Sequence, residues 1–356
     1  MIRILIVDDS PTEIAIIKQI LSAADDFEIV GIAHNGKEAI ELTARLRPDL
    51  ITMDIQMPIM DGLQATRIIM DQYPTPIVII SATISDESVS ATFPILEAGA
   101  LTAITKPGNI FASNFTERKQ YIIDTLRSLA EIQLIKIPGR PVSKATMAAD
   151  IVKAGTHCEI VALGASVGGP SAVKYLLSNL PSDFPVPIVI VQHMSKGFTQ
   201  GYARWLAQCS KLQVVVATDH VSLCKGTVYI APEEYQLGLK RVNQNLCTRL
   251  IPCEGSEDFC PSIDYLLNTV SLEAGSNSIG ILLTGMSDDG AEGLLKIREA
   301  GGHTLIQDSD SAVVFGMGEV AQSLNAVDKV VPLKDLPFYL ITYCINPKFR
   351  DENGKN

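Results

Sequence analysis

With 356 residues the chain exceeds one average domain, so two are expected and three are possible. Its 47% hydrophobic and 19% charged residues describe a well-cored globular protein and exclude a disordered one. A net charge of −11 and a pI near 5.0 leave no basic stripe to neutralise phosphates, so no nucleic-acid partner is expected.

The opening "MIRILIVDDS" has four apolar residues, Ile4 to Val7, before two aspartates, so no signal peptide is expected. No apolar run approaches membrane-spanning length, and no membrane insertion is expected. Residues 1–134 alternate β-rich runs ("RILIV", "EIVGIA", "DLITM", "PIVIIS", "TAITK") with amphipathic stretches. The first helix should begin at Ser10-Pro11-Thr12-Glu13, which has capping-box spacing with proline at the first helical position. Five strands alternating with five helices predict a flavodoxin-like, doubly wound parallel sheet. This part holds 10 Lys+Arg against 18 Asp+Glu, a net charge of −8, and that excess can attract a divalent cation.

In an open parallel sheet, binding groups collect at the carboxyl ends of the strands. Those ends carry Asp8, Asp9, Asp54, Ser81 and Lys106. Clustered carboxylates repel one another unless a cation neutralises them, and Mg²⁺ suits a few carboxylates with waters and phosphate oxygens. One carboxylate can then attack a phosphoryl donor, and a lysine supplies a point charge to the phosphoryl oxygens. The strings "VDDS", "TMDIQMPIMDGL", "VIISA" and "TKP" resemble those of response-regulator receiver domains. The resemblance implies Asp54 as phosphoacceptor, Asp8, Asp9 and Asp54 as Mg²⁺ ligands, and Ser81 and Lys106 as the phosphoryl switch.

Residues 135–155 lose the alternation and read as a linker, part of which can be helical. From about residue 156 to 350 a second alternation runs through "EIVALG", "PIVIVQ", "LQVVVA", "SIGILLTG" and "HTLIQD". It predicts a mostly parallel, doubly wound α/β domain. "GTVYIAPEEYQLGLKRVNQNLCTRLI" interrupts it with β-rich runs and polar turns, as an antiparallel hairpin excursion would. Seven cysteines in odd number, with no CxxC pair, suit reduced thiols in a cytoplasm. The five histidines lack metal-ligand spacing, so no zinc site is read.

Gly164-Ala165-Ser166-Val167-Gly168 matches G-x-S-x-G at a strand-to-helix turn. A serine there is either a helix cap or a nucleophile. A phosphate cradle is the rival use of such a turn, but neither GxGxxG nor GxxxxGK is present. A nucleophile needs a base on the same sheet edge. His193 follows "PIVIVQ", and Asp288 and Asp289 follow "GILLTGMS"; His303 precedes "TLIQD" and belongs on the opposite edge. The chain order Ser…Asp…His would select Ser166, Asp289 and His303, whereas strand polarity selects Ser166, His193 and Asp289. We favour the second set.

The strings "GASVGGP", "QHM" with "FTQGYARWL", "YIAP", "CPSIDYLL", "LLTGMSDDGAEGL" and "AGGHTLIQDSDSAVVFGMGEVA" resemble the catalytic domain of the chemotaxis protein-glutamate methylesterases, the CheB family. The resemblance implies a Ser166–His193–Asp289 triad and oxyanion donors near Val167 or Met286, with no cofactor at the hydrolase site. It further implies a cytoplasmic enzyme, switched on by phosphorylation, that demethylates glutamates and deamidates glutamines of methyl-accepting chemotaxis receptors. The chemotaxis histidine kinase is the implied phosphodonor, and the unphosphorylated receiver is implied to cover the hydrolase edge. Val167 stands where the family usually has threonine, Ser287 where it has glycine and Ser195 where it has proline. Glu233-Glu234-Tyr235 replaces a segment that usually begins with glycine and carries a histidine. Two further readings are a receiver-controlled hydrolase of another ester or amide, and a catalytically impaired signalling module.

Overall fold

A computed structural model describes residues 1–81, 86–106, 115–130, 158–255 and 259–345. The chain divides into two compact units, split near residue 135. The linker expected over 135–155 lies outside the described residues. Among the described residues no helix is long and apolar enough to cross a membrane.

The first unit is an α/β sheet of five strands: β1 (Ile2–Val7), β2 (Phe27–Ala33), β3 (Leu50–Met53), β4 (Ile77–Ser81) and β5 (Thr102–Thr105). Their order is β2-β1-β3-β4-β5, and every pairing is parallel. The order reverses at β1, which opens a crevice beyond the carboxyl ends of β1 and β3. Helices α1 (Pro11–Leu21), α2 (Gly36–Leu46), α3 (Gly62–Gln72), α4 (Asp86–Glu97) and α5 (Phe115–Ala130) join or follow the strands. Ser10 caps α1, its side chain accepting from the Glu13 N–H with Pro11 at the first turn; Asn35 and Asp61 cap α2 and α3 in the same way. Ile4, Leu5, Leu50, Ile51, Ile77 and Ile79 are fully buried, as expected of strands covered on both faces.

The second unit is a seven-stranded sheet of order β14-β13-β12-β6-β7-β9-β8, again with every pairing parallel. Its strands are β6 (Ile160–Ala165), β7 (Ile188–Gln192), β8 (Gln213–Val216), β9 (Thr227–Ile230), β12 (Ser278–Leu282), β13 (His303–Gln307) and β14 (Lys329–Val331). The helices are α6 (Gly169–Ser178), α7 (Thr199–Cys209), α8 (Ile263–Glu273), α9 (Ala291–Glu299), α10 (Gly316–Ser323) and α11 (Leu336–Ile345). The excursion is a hairpin of β10 (Tyr235–Val242) and β11 (Asn245–Pro252), antiparallel throughout. It is shorter than expected, because "TVYI" joins the parallel sheet as β9 beside β7. The hairpin stays attached because Leu237, Leu239 and Leu246 enter the same buried cluster as Ile160, Leu266 and Leu294.

Cysteine usage departs from expectation. Cys253 and Cys260 form a disulfide, with Cα atoms 6.4 Å apart, while the other five cysteines form none. The hairpin returns the end of β11 to the segment that enters α8, so tertiary structure, not a CxxC spacing, brings the two sulfurs together.

Candidate active site and phosphoryl site

In the first unit the strand-end groups converge. Lys106, one residue past β5, places its ammonium 2.7 Å from Asp8 Oδ2 and 3.0 Å from Asp54 Oδ2. Asp8, Asp54 and Lys106 are buried, Asp9 is exposed, and Ser81 closes β4 opposite Thr105. Asp54 Oδ1 also accepts the Ile55 N–H at 2.7 Å. Burial pushes the Asp54 carboxyl above its usual value, with Asp8 adding to the rise and Lys106 opposing it. Burial works against the Lys106 charge, but its bonds to Asp8 and Asp54 outweigh that and hold its pKa above normal. Carboxylate oxygens of Asp8, Asp9 and Asp54 lie within 4.8 Å of one another, a donor set of the kind and size that suits an oxygen-seeking divalent cation.

In the second unit Ser166, His193 and Asp289 all follow carboxyl ends of strands. Ser166 is the first residue past β6 and His193 the first past β7. They lie one step beyond the register pair Ala165–Gln192, and the His193 N–H donates to Ala165 O at 2.9 Å. His193 Nε2 is 2.8 Å from Asp289 Oδ2, with the His193 side chain 15% and the Asp289 side chain 3% exposed. Nδ1 is therefore the ring nitrogen left for a hydroxyl. Among the described residues no hydrogen bond joins Ser166 Oγ to the ring; contacts of this kind often tighten only when substrate binds.

Asp289 is held from four sides. Besides His193, its carboxylate accepts from Ser262 Oγ at 2.8 Å, the Ile263 N–H at 2.7 Å and the Asp264 N–H at 2.9 Å. Those donors are the first turn of α8, where backbone N–H groups favour an anion. Burial works against the charge, but bonds from His193, Asp264 and Ile263 outweigh it and keep the carboxyl below the usual range. Asp288, its neighbour, is exposed. His303 opens β13 and bonds Tyr339 Oη at 2.7 Å, with Asp328 3.3 Å from its other nitrogen. It stands at the amino end of its strand, apart from the other three.

The turn that carries Ser166 is braced by residues whose part sequence reading missed. Gln192 Nε2 donates to both Ser166 O (2.8 Å) and His193 O (2.9 Å). The Ser166 N–H donates to Thr284 O, and Thr284 Oγ1 donates to Val167 O at 2.8 Å. Gln307 Oε1 accepts the Thr284 N–H at 3.0 Å, which links "HTLIQD" to "LLTGM". Phe259 lies flat on the His193 ring, centroids 4.8 Å apart and planes 3° apart. The apolar runs and strand polarity that single out Ser166, His193 and Asp289 carry no information about these long-range contacts. Gly168 adopts φ 75° before α6, and Gly290, next to Asp289, adopts φ 105° before α9; both turns need glycine.

Among the described residues, no hydrogen bond within the protein engages the N–H of Val167 or of Met286. Of the departures, Val167 is buried, and Ser287 Oγ is buried without a hydrogen-bond partner among the described residues. Glu233 accepts the Thr199 N–H at 3.0 Å at the start of α7. It thereby places a negative charge where the helix dipole favours one.

Burial and the nearby Asp289 charge raise the Asp264 carboxyl to about 6, against the opposing Gly293 N–H. A carboxyl raised in the folded state contributes stability that is full below about 4 and is lost as pH climbs through about 6. Asp264→Asn keeps an acceptor for Gly293 and removes the charge. The variant is expected to gain about 1–2 kcal/mol over wild type at pH 7.5 and nothing at pH 4. Denaturant melts at the two pH values check this.

The CheB methylesterase family model matches residues 161–340, and the response regulator receiver domain model matches residues 4–112. A protein-glutamate methylesterase/protein-glutamine glutaminase from Syntrophus aciditrophicus (strain SB) is 38% identical over 346 residues, 96% of this chain and 98% of that protein. One from Myxococcus xanthus (strain DK1622) is 41% identical over 338 residues, 94% of this chain and 95% of that protein. The crystal structure of the CheB methylesterase catalytic domain from Thermotoga maritima aligns with TM-score 0.50 and 36% identity. It covers 52% of this chain and 98% of its own.

Proposed function

Because the chain belongs to the CheB methylesterase family and carries a response-regulator receiver domain, we propose that it is a protein-glutamate methylesterase and protein-glutamine glutaminase acting on methyl-accepting chemotaxis receptors in the cytoplasm. The observation that carries the reading is the buried Asp289 carboxylate bonded to His193 at the strand end beside Ser166. In this reading His193 Nδ1 takes the Ser166 proton as Oγ attacks the γ-carbonyl carbon of a glutamyl methyl ester. Asp289 fixes the ring by Nε2 and stabilises the imidazolium. The N–H groups of Val167 and Met286 hold the oxyanion, each donor contributing on the order of 3 kcal/mol. His193 returns the proton to the methoxide, methanol leaves, and water hydrolyses the acyl-serine by the same relay. With a glutamine side chain the leaving group is ammonia.

Regulation in this reading rests on Asp54, which accepts a phosphoryl group from the chemotaxis histidine kinase. Asp8, Asp9 and Asp54 would hold Mg²⁺, and the metal, when bound, would offset negative charge on carboxylates and phosphoryl oxygens. Lys106 exchanges its carboxylate partner for a phosphoryl oxygen, and Ser81 supplies a hydroxyl to another. These new contacts are the differential interactions that bias the receiver toward its active arrangement.

The test is methanol release from methylated receptor membranes, with and without kinase, ATP and Mg²⁺. Phosphorylation is expected to raise the rate on the order of tenfold or more, the range of ordinary allosteric couplings. Asp54→Asn is expected to keep the unstimulated rate and lose the stimulation. Stimulation of the Asn variant equal to wild type would remove Asp54 from the scheme.

A further inference from the structure

The stretch between the hairpin and α8 reaches the base from two directions. Phe259 stacks on the His193 ring, and three residues later Ser262 donates to Asp289. Cys260 lies between them and is bonded to Cys253, the residue after β11. The same place is pinned by the buried Gln236 on β10. Its Nε2 donates to Phe259 O at 2.8 Å, and its Oε1 accepts the Ser262 N–H at 2.7 Å. Cys253 is tied in turn by its N–H to Glu234 O at 3.0 Å. A covalent link and a two-ended side-chain amide thus fix one aromatic ring over the imidazole.

We propose that Phe259 is a positioning residue for the His193 imidazole, and that the Cys253–Cys260 disulfide holds it there, which makes the hydrolase sensitive to thiols. The proposal rests on the reading of His193 as the base. The imidazole is clamped at one edge by Asp289, so its remaining freedom is rotation about that bond, and a ring stacked on its face opposes the motion. Alignment of a base with its nucleophile is a rate term, and a loosened ring spends less time aligned. Without the disulfide, ordering residues 259–262 falls to Gln236, the Ser262–Asp289 bond and the stack, at a higher entropy cost.

Cys260 is exposed, so a small thiol can reach it. A thiolate of an external dithiol attacks one sulfur to form a mixed disulfide. The reagent's second thiol closes its own disulfide and leaves Cys253 and Cys260 as thiols. Two electrons pass to the protein and two protons end on its sulfurs; a low-molecular-weight disulfide such as oxidised glutathione runs the exchange backwards. A pair of this kind in a reducing compartment is a redox-responsive one.

The test compares the full chain in its oxidised form, verified by alkylation and mass spectrometry, with the same protein after dithiothreitol. Two rates are read: labelling of Ser166 by a fluorophosphonate, and methanol release from methylated receptor membranes. Reduction is expected to slow labelling about three- to tenfold, and to lower kcat with KM unchanged, as loss of one aromatic stack implies. Phe259→Leu should match the reduced rate and ignore the reductant, while Phe259→Tyr should keep both the oxidised rate and the response. The double variant Cys253→Ser, Cys260→Ser should stay at the reduced rate whatever the additive, which separates this pair from free Cys209 and Cys224. Equal labelling rates for oxidised and reduced protein, or a response that survives in the double variant, would overturn the proposal. A labelling response without any methanol release would support it while sinking the receptor-esterase reading.

Discussion

Replacing Ser166 by alanine is expected to lower methyl-ester hydrolysis by about 10⁴-fold or more, without change in KM or in the melting temperature. The kinetic loss is large because, in the proposed mechanism, Oγ forms the acyl-enzyme, and neither His193 nor the proposed oxyanion donors can act covalently in its place. The fold should be indifferent. Ser166 holds its turn through its backbone, accepting from Gln192 Nε2 and the Gly169 N–H and donating to Thr284 O, and alanine keeps all three contacts. Steady-state kinetics with a thermal melt check both halves. A variant within tenfold of wild type would move the nucleophile elsewhere.

Asp289→Asn is expected to fail in both respects. The rate should fall by about 10³- to 10⁴-fold, because an amide facing Nε2 favours the wrong tautomer and leaves the imidazolium without its counter-charge. Stability should fall too. The carboxylate accepts from His193 Nε2, Ser262 Oγ and the N–H groups of Ile263 and Asp264. An amide offers one oxygen and turns an NH₂ toward the remaining donors, so at least one buried donor is left unpaired, at about 1–3 kcal/mol. The lost negative charge at the start of α8 adds to that. There is a further signature. Removing the Asp289 charge takes away one of the groups that raise Asp264, so the stability loss between pH 4 and pH 7 should be smaller in the variant. Melts across that pH range, paired with kcat, measure the prediction. Unchanged stability would mean that α8 does not depend on the carboxylate.

The parallel sheets were legible because buried strands leave unbroken runs such as "ILIV" and "IVIV", and strand polarity follows once helices alternate with them. That polarity separated His193 from His303: one follows its strand and the other opens it, as the structure shows. The joint pattern of Asp8, Asp9, Asp54, Ser81 and Lys106 was visible for the same reason, each side chain standing at or just beyond the end of a short apolar run. What stayed hidden depends on contacts far apart in the chain. "TVYI" reads as part of a hairpin until its pairing with β7 is known. "KVV" is too short to stand out as β14. The Cys253–Cys260 pair exists because the β10–β11 hairpin folds back toward α8. Phe259 over His193, and the Gln307–Thr284–Val167 chain behind the nucleophile, are likewise products of tertiary packing.

The departures from the family pattern divide by what they touch. Glu233 caps α7 and has a structural use. Val167 is itself one of the proposed oxyanion donors and Ser287 follows the other, Met286; nothing in the structure explains the buried Ser287 hydroxyl, which has no hydrogen-bond partner among the described residues.

The most direct measurement titrates the phosphorylated full-length chain with a fluorophosphonate, following methanol release from methylated receptor membranes and mapping the adduct by mass spectrometry. The account predicts that release falls in proportion to modification and reaches zero at one adduct per chain, on Ser166. Release that persists in fully modified protein, or an inactivating adduct at another residue, would contradict it.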